Sequence, residues 1–354
     1  MSQDIHSQSL ASQIGNMLDD GLILTDLDGV ILFANAAAVT WFGESLTGQI
    51  VIDVLNHPSI NKLFAKAAVG TKQYEMRYRP PNTIQREFRI RLQRIGNQSV
   101  AILFLDMTLQ RNLEKVRRDF VANVSHELRS PLTSLAGFVE TMLSDKVPDP
   151  AMQTRFLNIM DEEAKRMSRL IDDLLSLSQV EVDEHIIPES LVNLAELMHS
   201  VSDSLASSAI KKNMKIKITE INNIQLRDAP LVIFGNHDEI TQVFVNLLEN
   251  AIKYGFDGSD ITLAITRVAP RHVRIDVANF GEGIEEHHLP RLTERFYRVD
   301  KARSRQIGGT GLGLAIVKHI VNRHRGILSI TSTLGETTRF SVELPLALPS
   351  DAEV

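Results

Sequence analysis

The sequence of 354 residues predicts a multidomain α+β protein. Short strand-like runs separated by glycine-containing turns come first. Two long stretches with apolar residues at steps of three and four follow, and the remainder alternates helical and strand patterns. These patterns predict an α/β domain at 14–108, an antiparallel helical hairpin at 109–182 and a domain of alternating helices and strands at 187–348, with a polar segment at 1–13 and a tail at 349–354.

The composition excludes several classes of function. Hydrophobic residues make up 43% of the chain, as in ordinary globular proteins. The net charge of −6 argues against nucleic-acid binding through a basic surface. The chain has no cysteine, which excludes disulfides, thiolate metal sites and thiol redox chemistry.

The sequence shows neither a membrane span nor a signal peptide. No stretch approaches the about 18 uninterrupted apolar residues that a spanning helix needs, and the polar start at 1–13 lacks a charged region followed by an apolar core. We therefore expect a cytoplasmic protein without a transmembrane segment. Peripheral membrane association, or an anchor removed from the chain, stays open.

The N-terminal domain begins with a strand–turn–strand pattern. Residues Gly21 to Asn35 form two apolar runs around the turn-forming pair Asp28-Gly29. We expect a short helix from Ala34 to Trp41. A closing strand from Ser99 to Asp106 follows a charged, alternating stretch between Arg86 and Arg94.

The strand pair, the helix beginning at Asn35 and the terminal Asp106-Met-Thr108 together resemble a PAS domain. This resemblance implies a sensor domain of PAS-like α/β fold. His57 directly precedes Pro58 and is one candidate for a haem ligand. A lone histidine is far more often structural or solvated, so we expect no cofactor in this domain.

A long helix is expected to follow directly. Asp106 and Thr108 are suitable N-cap residues, and an apolar stripe with coiled-coil spacing comes after them, formed by Leu109, Leu113, Val116 and Phe120. No flexible linker separates the stripe from the N-terminal domain. We therefore expect this helix to transmit rotation or a change of register rather than to act as a tether.

A second helix should complete a hairpin. The first is predicted to end at the polar turn from Asp145 to Pro150, which holds two prolines. The second stripe is Leu157, Met160, Ala164, Met167, Ile171 and Leu174. One hairpin buries too little apolar area to be stable alone, so we expect a homodimer with a four-helix bundle. A hairpin packed on its own chain is the alternative.

Within the first hairpin helix, His126 stands directly before Glu127 among apolar residues at helical spacing. Pro131 lacks an N–H and clashes with the carbonyl of Glu127, so a kink is expected just after the histidine. The glutamate can orient one ring nitrogen and take its proton, which leaves the other nitrogen to attack an electrophile. An ordinary surface histidine is the alternative.

A helix with one apolar face is expected from Asp238 to Tyr254. Its core face is Ile240, Val243, Phe244, Leu247 and Ala251. The opposite face carries Asn246, Asn250 and Lys253, with Tyr254 beside them. Asparagine oxygens suit Mg²⁺, which takes oxygen ligands and keeps several waters. This face is therefore a candidate for binding a metal-bound triphosphate, and plain hydration is the alternative.

Two glycine-containing segments follow. A strand from Val273 to Ala278 leads into Asn279-Phe-Gly-Glu-Gly-Ile284, whose glycines permit close approach of backbone to a flat ligand. Gly308-Gly-Thr-Gly-Leu-Gly313 opens a helix predicted from Leu314 to His324, whose N-terminal N–H groups attract an anion. Between the two, a basic segment is expected to cover phosphates as a lid, with Arg298, Lys301, Arg303 and Arg305.

These segments resemble, in order, the sequence boxes of the sensor histidine kinases of two-component systems. The matching segments are Phe120 to Thr133 (phosphoacceptor box), Asn246 to Tyr254 (N box), Asn279 to Ile284 (G1 box), Arg295 to Arg298 (F box) and Gly308 to Gly313 (G2 box). The resemblance extends from Leu109 to Leu346. It identifies HisKA and GHKL (HATPase) domains, which implies an α/β-sandwich fold for the domain at 187–348, and the chain is most similar to the PhoR-like group.

The resemblance implies ATP-dependent autophosphorylation of His126 in a homodimer and transfer of the phosphoryl group to an aspartate on the receiver domain of a response regulator. It makes Glu127 the base, lets Arg129 steady the phosphate charge and puts Ser130 at the Thr/Asn position of a phosphatase motif. Asn246 and Asn250 would hold Mg²⁺. The implied ATP-binding residues are Asn246, Asn250, Lys253, Tyr254, Asn279, Gly281, Gly283, Ile284, Phe296, Arg298, Gly309, Thr310, Gly311, Leu312 and Gly313.

One position departs from the family pattern. The family's G1 box begins with an aspartate that accepts the adenine amino group, and Asn279 stands there. Asparagine can accept through its carbonyl oxygen, but it can flip and lacks the charge. Two alternatives therefore stay open: an ATPase clamp of the same superfamily, which would not need His126, and a non-catalytic or phosphatase-only scaffold, which Asn279 alone favours.

Overall fold

The computed structural model describes residues 13–80, 86–144, 149–221, 231–269, 271–300 and 309–347. The chain divides into two compact units, one ending at Val121 and one beginning at Ala122. The dividing point lies inside a single helix, Thr108–Leu143, so each unit contains part of it. Lys301, Arg303, Arg305, Gly308 and most of the predicted turn before Pro150 lie outside the described residues.

The first unit is built on a five-stranded sheet. Its strands are β1 (Gly21–Asp26), β2 (Ile31–Ala34), β3 (Tyr74–Tyr78), β4 (Phe88–Ile95) and β5 (Ser99–Asp106). They are arranged in the order β2-β1-β5-β4-β3, and all neighbours are antiparallel. Three helices lie between β2 and β3, namely Ala36–Phe42, Val51–Leu55 and Pro58–Val69. The predicted strand pair and the closing strand are confirmed.

Asn35 explains where the first helix begins. Its buried side chain accepts hydrogen bonds from the N–H groups of Leu22 (2.8 Å) and Ala38 (3.0 Å). It donates to the carbonyls of Gly15 and Asp20, both at 2.8 Å. Asn35 is thus a helix N-cap that also ties the helix to β1. The predicted start at Ala34 was wrong by two residues, because Ala34 ends β2.

The core of this unit is aromatic and aliphatic. Trp41 and Phe42 pack against Phe88, with ring centroids 4.8 and 5.7 Å away, and Phe104 lies 4.9 Å from Phe42. His57 lies outside this core. Its Nδ1 accepts the N–H of Ser59 at 3.2 Å and caps the helix that begins at Pro58, which is a structural role.

Two long helices follow, which we call the first hairpin helix (Thr108–Leu143) and the second hairpin helix (Pro150–Asp183). The first continues without interruption through Pro131, whose ring is buried; the kink expected there stays a prediction. Asp149 caps the second helix by accepting the N–H of Met152 at 2.9 Å. None of the described helices combines the length and apolar content that crossing a bilayer requires.

The C-terminal part of the second unit contains a mixed five-stranded sheet. Its strands are β7 (Lys215–Ile221), β9 (Asp260–Ala269), β10 (His272–Phe280), β11 (Ile327–Ser332) and β12 (Thr337–Pro345). Their order is β11-β12-β10-β9-β7, in which only the β7–β9 pair is parallel. Two short strands, β6 (Leu191–Asn193) and β8 (Val232–Phe234), pair separately.

Helices pack against this sheet and against one another. They are Leu194–Ile210, the asparagine helix (His237–Tyr254) and the glycine-loop helix (Gly313–Arg323), and a 3₁₀ helix spans Glu286–Arg291. The predicted core face of the asparagine helix is confirmed, since all five of its members are fully buried. The helix begins one residue before the predicted start because Asn236 caps it, accepting the N–H of Asp238 at 2.9 Å.

Candidate active site

A cavity of about 440 Å³ lies in the second unit, between the asparagine helix, the end of β10 and the loop before the glycine-loop helix. Most of the residues predicted to bind nucleotide line it: Asn246, Asn250, Lys253, Tyr254, Asn279, Gly281, Gly283, Ile284, Arg298, Gly309, Thr310, Gly311 and Gly313. Residues from four separate stretches of sequence thus meet around one space. The cavity has the size of a typical small-molecule site.

The asparagine helix presents two carboxamide side chains to the cavity. Asn246 and Asn250 are one turn apart and half-buried, and both line the wall. A Cβ added to Gly313 would lie 3.0 Å from Asn246 Oδ1, so the missing side chain lets this carboxamide lie against the N-terminus of the glycine-loop helix. Amide oxygens beside Glu249 form a donor set that suits a hard cation such as Mg²⁺.

Asn279 lies within β10 rather than in the loop after it. It is 4% exposed and lies opposite Thr338 of β12. The Thr338 hydroxyl is 2.7 Å from Ser332 Oγ, which accepts the N–H of Ile284 at 2.9 Å. This chain of contacts fixes the glycine segment against the two strands. Asp276 does not line the cavity, because its carboxylate pairs with Arg274 and Arg339 instead.

The glycines after Asn279 are required by the protein's own backbone. A Cβ on Gly281 would lie 2.6 Å from the carbonyl oxygen of Tyr254. Gly283 has φ of +77°, and a Cβ there would clash with the backbone of Thr333. These glycines therefore allow close approach within the protein itself, and the expected approach to a flat ligand stays a prediction.

Phe296 and Leu312 are not among the residues that line the cavity. Phe296 adopts a left-handed backbone conformation (φ of 64°) and donates its N–H to the carbonyl of Gly311 at 2.8 Å. Gly311 has φ of +75°, and a Cβ there would lie 3.0 Å from Phe296 Cα. Leu312 is fully buried. These residues therefore join the F box to the glycine loop and shape the cavity from behind.

The second hairpin helix also reaches the cavity, which the sequence did not predict. Arg169, Asp172 and Asp173 line its wall. The Thr310 hydroxyl donates to Asp173 Oδ2 at 2.6 Å. Burial raises the pKa of the Asp173 carboxyl, with Glu249 and Asp172 adding to the effect, whereas Thr310 and Lys253 act in the opposite direction.

His126 is exposed on the first hairpin helix. It shares a shallow, open groove with Arg129, Ser130, Thr133 and Ser134. The predicted residues around the histidine, Arg129 and Ser130, are exposed as well. The structure therefore leaves room for another molecule or domain to approach the imidazole.

The neighbouring Glu127 is not solvated in the same way. Its Oε2 is 3.2 Å from a guanidinium nitrogen of Arg166, on the second hairpin helix, and 3.4 Å from one of Arg298, in the F box. The Arg298 side chain is only 6% exposed. Burial lowers the pKa of its guanidinium from the usual value, and the Glu127 carboxylate opposes that effect. The sequence predicted Arg298 only as part of a lid over the phosphates and did not predict its contact with Glu127.

Further contacts join the end of the second hairpin helix to the C-terminal part of the second unit, which contains the cavity. Glu181 pairs with Arg295 at 2.6 Å, and Glu184 lies 2.8 Å from His319 Nδ1 on the glycine-loop helix. Ser176 donates to Gln242 of the asparagine helix at 2.9 Å. The second hairpin helix and the residue after it thus contact the asparagine helix, the glycine-loop helix and Arg295 of the F box. Most of these pairs are partly exposed, so they fix geometry more than they add stability.

Two family models match the chain. The His Kinase A (phospho-acceptor) domain matches residues 116–182, which include His126. The Histidine kinase-, DNA gyrase B-, and HSP90-like ATPase matches residues 235–348, which include the asparagine helix and both glycine segments. The second match indicates that this domain uses ATP.

Relatives share nearly the whole chain. The phosphate regulon sensor protein PhoR of Pseudomonas aeruginosa is 34% identical over 341 residues, which cover 95% of this chain and 74% of that protein. The sensor histidine kinase WalK of Bacillus subtilis is 30% identical over 350 residues. The chain spans only 55% of the length of WalK.

The fold has a counterpart among solved structures. The crystal structure of histidine kinase ThkA in complex with response regulator protein TrrA matches with a TM-score of 0.51 and 22% identity, covering 93% of this chain and 96% of that one. The fold, the two family domains in their order and the identity to PhoR agree. The chain therefore belongs to the PhoR-like sensor histidine kinases, which are ATP-using protein-histidine kinases of two-component systems.

Proposed function

We propose that this chain uses Mg-ATP to phosphorylate His126 and then passes the phosphoryl group to an aspartate on the receiver domain of a response regulator. The arrangement of the second unit carries this proposal. It holds an exposed histidine on a hairpin helix together with a cavity lined by the asparagine helix and by two glycine segments.

In the first step, a ring nitrogen of His126 forms a bond to the γ-phosphorus of ATP. The bond from that phosphorus to the bridging oxygen breaks, and ADP leaves with the electron pair. Glu127 takes the imidazole proton. Arg166 and Arg298 both contact Glu127 Oε2, so the contact with Arg298 has to break before this oxygen can take the proton.

The cavity residues position the nucleotide. Asn246 and Asn250 would hold Mg²⁺, which neutralises phosphate charge. Lys253 and the N–H groups between Gly309 and Gly313 bind phosphate oxygens at the positive end of the glycine-loop helix. We assign the carbonyl oxygen of Asn279 to the adenine amino group.

The remaining predicted residues act on the phosphorylated state. Arg129 lies exposed near His126 and can steady the charge of the phosphohistidine. Ser130 shares the same groove, and its hydroxyl can orient water toward the phosphorylated aspartate of the regulator. We infer a phosphatase activity that depends on this hydroxyl.

We also propose that the chain is a homodimer with an N-terminal PAS-like domain. Large apolar side chains on both hairpin helices are exposed in the single chain, among them Leu132 (58%) and Leu157 (54%). A partner hairpin would cover them in a four-helix bundle. The antiparallel sheet of the first unit, with its three inserted helices, supports the PAS-like assignment.

Incubation with ATP labelled at the γ-phosphate tests the kinase proposal. The intact protein should retain a label that is labile in acid and stable in alkali, and His126→Ala should remove it. His199→Ala is the matched control, since His199 is also an exposed helical histidine. Addition of a receiver domain should then discharge the label. Bound ATP without any label on the protein would contradict the proposal and favour a phosphatase-only role.

A further inference from the structure

An acidic side chain of the hairpin lies where the glycine loop would receive a phosphate. Asp173 Oδ2 accepts the hydroxyl hydrogen of Thr310 at 2.6 Å, while the same hydroxyl accepts the N–H of Leu312 at 3.3 Å. Thr310 stands just before the glycine-loop helix, whose N-terminus favours anions. The loop is therefore already engaged by a carboxylate of the same chain.

The local charge makes this carboxylate and a triphosphate incompatible. Asp172, Asp173 and Glu249 all line the cavity, as do the cations Arg169, Lys253 and Arg298, and Lys253 lowers the pKa of Asp173. A triphosphate in the same space would face these carboxylates at short range in a partly desolvated site, where like charges repel strongly. One anion has to move away before the other can bind.

A second contact points in the same direction. Glu127 holds Arg298 at 3.4 Å, and Arg298 Nε lies 3.2 Å from the place of a Cβ on Gly311. One hairpin carboxylate thus engages the glycine loop, and another engages the F-box arginine next to it. Glu127, the proposed base, is thus paired with Arg298, and Thr310 of the glycine loop is paired with Asp173.

We propose that Asp173 is an internal ligand of the glycine loop that competes with nucleotide phosphate and holds the nucleotide domain docked on the hairpin. The inference rests on the proposed function, because it takes the cavity to be the ATP site. If only undocked molecules bind ATP, the apparent Kd equals the intrinsic Kd divided by the undocked fraction. Asp173 therefore sets how much ATP is needed before Arg298 releases Glu127.

Nucleotide affinity of the full chain provides the test. Asp173→Asn keeps the shape and an acceptor oxygen but removes the charge, which weakens the bond to Thr310. Calorimetry with Mg²⁺ should show about five- to tenfold tighter binding of ATP, a smaller gain for ADP and none for adenosine. Asp161→Asn is the matched control, since Asp161 is an exposed carboxylate on the same helix that pairs with Lys165 at 2.6 Å; its affinities should equal those of the parent.

Asp173→Ala removes the acceptor entirely and should give a gain at least as large, together with faster labelling of His126. Unchanged or weaker ATP binding by both variants would overturn the inference while leaving the kinase assignment intact. An equal gain for adenosine would also overturn it, because the competition would then not involve phosphate. If the parent protein binds no ATP at all, the proposed function itself fails, and this inference fails with it.

Discussion

Asn250 tests the metal assignment at the scale of one residue. It lies one helical turn from Asn246, and both carboxamides line the cavity. Asn250→Ala removes a proposed oxygen ligand of Mg²⁺ and should lower the rate of His126 labelling by about 100-fold or more, since metal stabilisation of phosphoryl transfer amounts to several kcal/mol. Radiolabelling across a Mg²⁺ titration measures this.

Asn97→Ala is the control for that experiment, because Asn97 is an exposed turn residue of the first unit. It should label like the parent at every Mg²⁺ concentration. Undiminished labelling of Asn250→Ala would remove this residue from the proposed metal site and leave Asn246 to be tested by the same route.

Tyr78 offers a residue-scale test of the first unit. Its buried hydroxyl donates to the carbonyl of Leu55 at 2.8 Å, and burial raises its pKa to about 12. Tyr78→Phe should destabilise this unit by about 1–2 kcal/mol, because the Leu55 carbonyl loses its partner. Denaturant unfolding followed by the fluorescence of Trp41 reports on this unit alone, since the chain has 1 tryptophan.

The same tyrosine predicts a pH dependence. The folded state keeps the phenol protonated to higher pH than the unfolded chain, whose tyrosine pKa is about 10. The stability from this difference is therefore present below about pH 10 and is lost as the pH rises toward 12. Tyr78→Phe should abolish that loss, whereas Tyr74→Phe, on the same strand but partly exposed, should keep it. If the free energy of unfolding of Tyr78→Phe declined at alkaline pH as it does in the parent, the loss of stability could not be assigned to Tyr78.

The hairpin helices are the elements whose apolar stripes the single chain leaves uncovered. Leu157→Asp should dissociate the proposed dimer, because a charge would enter the bundle core without a partner. Light scattering coupled to size exclusion should then give the mass of one chain, 39.6 kDa. Arg155→Asp introduces the same residue on the opposite, exposed side of this helix and should leave the dimer intact. A dimeric Leu157→Asp would locate the interface elsewhere.

The positions where elements begin show how sequence and structure relate at this scale. Periodicity predicted the asparagine helix and its buried face, because burial repeats every three or four residues in any packed helix. The exact starts were set by caps: Asn35, Asp149 and Asn236 each accept backbone N–H groups at a helix start. The spacing of apolar residues carries no information about these polar caps, so the observed helix starts differ from the predicted ones by one or two residues.

At the scale of the whole molecule, the two units share one helix. The first hairpin helix runs unbroken from Thr108 to Leu143 across their boundary. One alanine inserted after Arg117 would turn everything beyond it by about 100°, whereas seven would restore the facing to within about 20°. If the helix transmits rotation, the single insertion should change the labelling rate several-fold and the seven-residue insertion should not. If both insertion variants labelled His126 at the same rate, the helix would be a passive tether and would not transmit rotation.

The sequence by itself determined the elements, their order and the residue types of the cavity wall. Strand alternation, helical spacing and the glycine segments are local signals, written in residues close together along the chain. These signals predicted the strands β1, β2 and β5 of the first unit and the apolar face of the asparagine helix. Most of the residues that they assigned to nucleotide binding do line the cavity, because each box is itself a short local segment.

Only the tertiary structure decided which distant residues meet these boxes. Asp173 and Thr310 are separated by 137 residues, and Glu127 and Arg298 by 171. No spacing rule selects such partners, because they depend on how one packed helix lies against another domain. Phe296 and Leu312 were likewise predicted to bind nucleotide but do not line the cavity, because backbone conformation and burial place them behind its wall. Local patterns fix what each element is, whereas packing fixes what its polar groups touch, and the proposed control by Asp173 follows from packing alone.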